Sequence, residues 1–345
     1  MVKKSEWPQI ASSLAAAIPR TLLHPSVVSW SETKNMGSRA PWAVAFSGGA
    51  DSLALLLLLW AHWPERRARL VALHFDHRLR GRASTADAKF CERVCAALSV
   101  KFVTASWADA RMGASEAEAR AARFAFFNRE LSRRRIRALW FGHQQDDIAE
   151  TMLMRLARGS GTAGLAAPRS VQEMPAGRVH LRPLLTLKKH TLTGALTVAG
   201  ARWREDASNE TADYFRNRIR HEVVSAWVAA AIERDALAGA ALSRELLEED
   251  DAALEAWVDA LAPLSTDGQR LDVKTLHGKP RAVVRRALHR WLAAQRDTGD
   301  LSRKGFSALL TAVEQGTFTR FSLGCSGFAV IRKGVLSFEM ASPAN

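Results

Sequence analysis

Cysteine is scarce in this chain of 345 residues: Cys91, Cys95 and Cys325 are the three, and no CxxC pair occurs. That is too few for a disulfide framework and fits a reducing compartment. Cys91 and Cys95 stand one helical turn apart in an amphipathic segment, so they read as buried structural thiols rather than a metal or redox pair. Long apolar runs are missing too. The run after Asp51 is too short to span a bilayer, and the Ala-rich N-terminal stretch, interrupted by Glu6 and Pro8, lacks the apolar core of a signal peptide. A soluble cytoplasmic protein is therefore expected. One more absence narrows the chemistry. No Gly-Lys-Ser/Thr follows the paired glycines Gly48 and Gly49, so the lysine of the common nucleotide loop, which reaches the outer phosphates, has no counterpart.

Basic charge is abundant, with a formal net charge of +14 and a pI near 10.5. Met1 to Ser225 holds 34 Lys and Arg against 20 Asp and Glu, whereas Ala226 to Asn345 holds 15 of each. The first part carries the whole excess, which suits a polyanion such as nucleic acid. The length predicts two or three domains with a sizeable core. A division into an N-terminal extension (1–40), a catalytic domain (41–225) and a mainly helical C-terminal domain (226–345) is expected. The extension reads as weakly helical around Gln9 to Ile18 and loose around Ser29 to Arg39.

The stretch AVAFSGGADSLALLLLL, Ala43 to Leu59, organises the rest. A strand-like run breaks into Ser47-Gly48-Gly49-Ala50-Asp51-Ser52 and resumes as a helix. Paired glycines between strand and helix allow positive φ and bring backbone N–H groups against an anion, with the helix start adding partial positive charge. Arg69 to Phe75 predicts a second strand, Thr85 to Leu98 a helix, Lys101 to Trp107 a third strand and Ser115 to Arg135 a long basic helix. Such alternation predicts an α/β fold, a parallel sheet with helices on both faces. His74 and Asp76 end the second strand, at the edge where open sheets of this kind bind ligands. Glu116, Arg120 and Arg123 share one helix face.

A fourth strand, Ala138 to Gly142, leads into His143 and then Asp146, Asp147 and Glu150 on the first turns of a helix. Three carboxylates and a histidine at a strand end could hold Mg2+ on phosphates or grip an ammonium group. Glu233 to Asp272 holds 11 acidic against 3 basic residues, and Lys274 to Lys333 reverses this with 12 basic against 3 acidic. After Pro280, Val284, Leu288 and Leu292 recur every four residues, and Arg281, Arg285, Arg286, Arg290 and Arg296 line the other faces. That helix could dock on RNA or be a solvated face. Thr317 to Phe338 predicts a short hairpin.

SGGADS resembles the loop of the N-type ATP pyrophosphatases. HFDHRLRG, HxxxDDxxET with the RGSGTAGL that follows it, RPLL (Arg182 to Leu185), DASN (Asp206 to Asn209) and YFRNRIRHE (Tyr214 to Glu222) together resemble the tRNA(Ile)-lysidine synthetases, over roughly Pro41 to Val224. Asp76 and Gln144 depart from the family pattern, which usually has Asn and a second His there. The resemblance implies a Rossmann-like fold and a ligase that joins L-lysine to C2 of the wobble cytidine in the CAU anticodon of tRNA(Ile), using ATP and Mg2+ through an adenylated cytidine.

It also implies roles. Ser47, Gly48, Gly49, Ala50, Asp51, Ser52, His74 and Asp76 would meet ATP, and Asp51 and Asp147 would hold the metal. Asp51, His143, Asp147, Glu150 and Arg216 would act in catalysis. Arg120, Arg123, Arg218, Arg220, Arg285 and Arg286 would meet RNA. Family members often carry a further C-terminal domain, and this chain is expected to lack part of it. Two rival readings are a tRNA thiolase, which needs reactive or cluster-binding cysteines, and a non-catalytic tRNA-binding protein. A homodimer stays open.

Overall fold

The computed structural model describes residues 2–33, 40–78, 82–108, 110, 114–205, 215–295, 301–324 and 327–340. The 206–209 signature, Tyr214, residues 79–81, Arg296 and Cys325 lie outside these. The chain forms two compact units, Met1–Leu246 and Leu247–Asn345.

The first unit is built on a six-stranded sheet: β1 (Trp42–Ala45), β2 (Leu70–Asp76), β3 (Lys101–Ser106), β4 (Ala138–Trp140), β5 (Val171–Met174) and β6 (Arg178–Leu181). Its order is β3-β2-β1-β4-β6-β5, parallel except for the β5 edge, which runs antiparallel to β6. Alternation along each strand sorts side chains between two cores. Trp42, Val44, Leu70, Ala72, Ala138 and Trp140 enter one, and Ala43, Val71, Leu73 and Leu139 enter the other.

The helices of this unit are α1 (Trp7–Ala17), α2 (Pro25–Glu32), α3 (Ala50–His62), α4 (Arg82–Ala97), α5 (Glu116–Arg134), α6 (Gln145–Ala157), α7 (Thr162–Leu165), α8 (Lys189–Val198), α9 (Phe215–Arg218) and α10 (Ser225–Ala230). A π-helical turn, Ile219–Val224, joins the last two. Leu53 to Leu59 are all buried because α3 is covered by the sheet, by α1 and by α8. Burying each leucine contributes about 1.5–3 kcal/mol relative to leaving it in water. Phe126, Phe127 and Leu131 of α5 seal the opposite face, so helices do cover both faces, as expected. Residues 2–33 are part of this body: Trp7, Ile10, Leu14, Ile18, Leu23 and Val27 are buried in the α3 core. Cys91 and Cys95 are buried there as well.

Helix α11 (Ala236–Leu261) contains the division between the units. The second unit continues with β7 (Arg270–Asp272), α12 (Arg281–Ala294), α13 (Arg303–Gln315), β8 (Thr319–Ser322), β9 (Gly327–Arg332) and β10 (Val335–Met340). The expected hairpin is thus three strands, and β7 joins them in an antiparallel sheet of order β7-β10-β9-β8. Val284, Leu288 and Trp291 of α12 and Leu309 and Val313 of α13 form its core.

Candidate active site

In the sheet, β1 lies between β2 and β4, and the chain runs outward from β1 in both directions. The loops leaving the carboxyl ends of β1 and β4 therefore diverge, which leaves a crevice between them. The glycine turn follows β1, and the acidic start of α6 follows β4. One rim carries both.

Gly48 has φ +92°, and a Cβ on it would lie 2.9 Å from Cys91 Sγ and 3.3 Å from Phe90 Cδ1. Only glycine fits both the backbone and the space. The buried Ser52 hydroxyl accepts from the N–H groups of Ser47 and Gly48, each at 3.2 Å, and donates to Gly49 O at 3.0 Å. Gly49 caps α3 without a side-chain hydrogen bond, so the helix presents its first N–H groups to the crevice. Arg204 closes the loop from the other side. Its N–H donates to Gly48 O at 2.9 Å, and its guanidinium pairs with the buried Asp87 at 2.6 Å.

Asp51 sits in the first turn of α3. Burial, and then the charge of Asp147, push its carboxyl up to about 7. Its Oδ1 is buried and accepts no hydrogen bond from a described residue. A carboxylate left in this state suits a divalent cation, which commonly binds through one or two carboxylates plus substrate phosphates. Asp51 therefore fits Mg2+, whereas both oxygens of Asp147 already accept hydrogen bonds and would reach a cation only through their second lone pairs. Gly142 at the end of β4 brings the two sides together. A Cβ there would lie 2.7 Å from Asp51 O and 3.1 Å from Ser52 N, a close approach with no pattern in the sequence to reveal it.

Gln144 caps α6, its side chain accepting from Asp146 N at 2.5 Å, while Asp147 Oδ2 accepts from Gln144 N at 3.0 Å. That cap explains a glutamine at this position. Asp146 turns aside to accept from Lys189 N at 2.9 Å. Asp147 and Glu150 instead meet arginines from the segment after residue 214. Arg216 donates to Asp147 Oδ1 at 2.6 Å and Glu150 Oε2 at 2.7 Å, and Arg220 donates to Glu150 Oε1 at 2.5 Å. Burial lowers the arginines' proton affinity, but the two carboxylates outweigh it and raise both. Arg218, between them in sequence, is exposed and lies 5.8 Å from the Phe215 ring. The π-helical turn begins at Ile219, a distortion frequent at functional sites.

His143 lies among positive groups. Burial and then Arg182, Arg216, Arg123 and Arg120 hold it well below the usual histidine range, so it is neutral. Arg120 and Arg123 come from α5, whose start is fixed by a Ser115–Glu118 capping box. Neither has a carboxylate within ion-pair distance among the described residues. Burial and then Arg120 and Arg216 lower Arg123 to about 10. Exposed Arg120 and half-buried Arg123, with Glu116 on the same helix face as the acidic group acting on both, leave net positive charge that suits an anion. At the end of β2, His74 donates from Nδ1 to Phe46 O at 2.9 Å, and Asp76 Oδ1 accepts from Arg78 N at 2.8 Å. His74 is thus tied to the residue that leads into the glycine turn.

Within the second unit, Arg285 is exposed. Arg286 pairs with Asp251 and Glu255, each at 2.5 Å, and Arg290 with Glu255 and Asp259. Asp251, Glu255 and Asp259 on α11 thus neutralise Arg286 and Arg290 on α12, while Arg281 pairs with Glu314 on α13.

A model of the PP-loop domain matches residues 26–227. Three proteins named tRNA(Ile)-lysidine synthase are similar to the chain. That of Geobacter sulfurreducens is 36% identical over 76% of this chain and 56% of its own length. That of Rhodopirellula baltica is 34% identical over 69% and 66%, and that of Pseudomonas syringae pv. tomato 37% identical over 73% and 57%. The chain thus spans between half and two thirds of the length of these relatives. Among solved structures, the U34-tRNA thiolase NcsA from Methanococcus maripaludis with its [4Fe-4S] cluster is similar in fold. The TM-score is 0.51 at 17% identity, over 69% of this chain and 78% of that one. With the domain match covering more than half of its residues, and the glycine turn and acidic helix start on one rim, the chain belongs to the PP-loop domain family.

Proposed function

We propose that the chain ligates L-lysine to C2 of the wobble cytidine in the CAU anticodon of tRNA(Ile), consuming ATP and releasing AMP and pyrophosphate. The observation that carries this reading is the shared rim: Gly142 packs against Asp51 and Ser52 at the end of the glycine turn, and the helix that carries Asp147 and Glu150 starts just after Gly142. The name carried by the relatives at 34–37% identity supports it.

In this reading the turn from Ser47 to Ser52 holds the triphosphate through the first-turn N–H groups of α3, Ala50 to Ser52, because the N–H groups of Ser47 and Gly48 already donate to Ser52 Oγ. The start of α3 stabilises its charge. His74 and Asp76 flank the nucleotide. Asp51 and Asp147 would hold Mg2+, which when bound would supply positive charge to the departing pyrophosphate. Cytidine O2 attacks the α-phosphorus, and the bond from that phosphorus to the bridging oxygen of pyrophosphate breaks. The lysine ε-nitrogen then attacks C2, AMP leaves with O2, and the nitrogen gives up a proton. Asp147 and Glu150, oriented by Arg216 and Arg220, grip the amine, and one of the two carboxylates takes that single proton, since each carboxylate oxygen has a second lone pair. Arg120 and Arg123 receive a phosphate of the adenylate or the RNA. Arg218 and Arg285, both exposed, would meet RNA phosphates.

No helix among the described residues is long and apolar enough to cross a membrane, and a tRNA substrate assigns the chain to the cytoplasm. Cys91 and Cys95 favour ligation over sulfur transfer. Burial pushes both thiols up, which makes them poor nucleophiles and cluster ligands. Mass spectrometry of the wobble nucleoside, after reaction of CAU-bearing tRNA(Ile) with ATP and lysine, tests the reading. A lysine adduct is expected; an unmodified or sulfur-bearing cytidine would overturn it.

A further inference from the structure

Arg182 is an arginine that the reaction above does not use. It follows β6 and is buried, 6% exposed. Its guanidinium is held at each nitrogen: one N–H donates to Arg169 O at 2.7 Å, another to Gln172 Oε1 at 3.0 Å, and Nε–H to His143 Nδ1 at 3.2 Å. The ring of Phe141, 5.5 Å from the guanidinium carbon and 5.6 Å from the His143 ring, packs beside both. The backbone on either side is anchored, Arg182 N donating to Ser170 O and Pro183 O accepting from His24 N. Arginine has no acceptor and keeps its charge, so the histidine nitrogen facing it must carry a lone pair.

We propose that Arg182 is a positioning residue that fixes the tautomer of His143, placing the ring's one proton on Nε2, so that His143 serves as a neutral hydrogen-bond donor and not as a base. The role in turnover rests on the lysine-ligation reading; the tautomer does not. A neutral N–H donor is what a site that collects negative oxygens can use, because it stabilises developing charge without a change of protonation. Arg120 and Arg123 from α5, Arg182 after β6 and Arg216 from α9 all face the ring with positive charge. His180 on β6, 5.0 Å from Phe141, is itself lowered to about 4 by burial and then Arg182. Burial and the charges of these four arginines all oppose a second proton on His143.

Nitrogen-15 spectra of the full chain labelled at histidine, with His143 assigned by loss of its signals in His143→Gln, read the tautomer directly. The expected result is a protonated Nε2 and a bare Nδ1, unchanged from about pH 5.5 to about pH 8.5. In Arg182→Lys, which keeps the charge and one donor, the tautomer should persist. In Arg182→Met the ring should populate both tautomers and bind a proton more readily, and kcat for lysine ligation should fall about tenfold more at pH 6 than at pH 8. A proton on Nδ1 in the parent protein overturns the proposal with no variant needed. So does an Arg182→Met protein with the parent's tautomer and pH profile. If Arg182→Met fails to fold, the parent's tautomer and Arg182→Lys decide. A fixed Nε2–H tautomer in a protein that never ligates lysine would uphold the tautomer assignment and refute the proposed reaction.

Discussion

Gly142 meets Asp51 with no room for a side chain: a Cβ on the glycine would lie 2.7 Å from the Asp51 carbonyl oxygen. The end of β4 therefore sets the position of the first turn of α3, and with it the spacing between the phosphate turn and the acidic cluster. Gly142→Ala should push the two apart and lower ATP-dependent turnover by about tenfold to a hundredfold, with a loss of about 1–3 kcal/mol in stability. Gly239→Ala, on the exposed side of α11 with nothing within 4 Å of the added carbon, is the control and should leave turnover unchanged and stability unchanged or raised by up to about 1 kcal/mol. Steady-state kinetics and urea unfolding of the two variants check this.

Asp51 gives a pH dependence whose sign is fixed by its raised pKa. The unfolded carboxyl titrates near 3.8 and the folded one at about 7. Between these values the folded state binds more protons, so this group's contribution makes stability fall as pH rises from about 4 to about 7 and level off above. Asp51→Asn should remove that slope. Thermal melts should show variant and parent alike near pH 4 and the variant more stable near pH 8, by ~1–2 kcal/mol once partial exposure is allowed for. ATP with Mg2+ should stabilise the parent at pH 8 more than the variant.

Glu150, 1% exposed, holds two arginines from a segment some 70 residues away in sequence. Glu150→Gln removes one charge of a buried network and should cost about 3–5 kcal/mol, so its loss of activity is partly a loss of fold. Asp147→Asn has one acceptor oxygen where the carboxylate has two, so it keeps either the Gln144 N–H or the Arg216 contact, while Arg216 stays paired with Glu150. It should fold, yet lose lysine incorporation by about a hundredfold or more. Circular dichroism alongside the ligation assay separates the two effects.

These pairings mark the limit of what the residues disclosed on their own. Strand, turn and helix from Ala43 to Leu59 are local features, set by apolar spacing and by two glycines, and they were legible. So was the acidic helix start after His143. Arg216 and Arg220 were recognisable as a basic pair, but their partners depend on how distant segments pack, which spacing does not encode. The contact of Arg182, legible only as part of RPLL, with His143 escaped for the same reason, as did Gly142. Residues 2–33 read as an extension because α1 has few strongly apolar residues, yet Trp7, Ile10 and Leu14 fall on one face and meet α3. Three-residue β7 is too short to show alternation, and its pairing with β10 makes it a strand.

Charge in the second unit was legible as a composition but not as a set of partners. Arg286 neutralises Asp251 and Glu255, whereas Arg285 is exposed. Arg286→Ala leaves the buried Asp251 without this partner and should destabilise the chain by about 2–4 kcal/mol. Arg285→Ala should change stability by less than about 0.5 kcal/mol and weaken tRNA binding, with a shallower salt dependence. Unfolding curves and filter binding at two salt concentrations distinguish the two arginines.

The most direct test of the shared rim is transfer of labelled lysine to RNA. The chain is incubated with ATP, Mg2+, labelled L-lysine and CAU-bearing tRNA(Ile), and acid-precipitable label is counted. The account predicts label in the RNA, matched by AMP released one for one and abolished by Asp147→Asn. ATP consumption without label in the RNA, or full incorporation by Asp147→Asn, would contradict it.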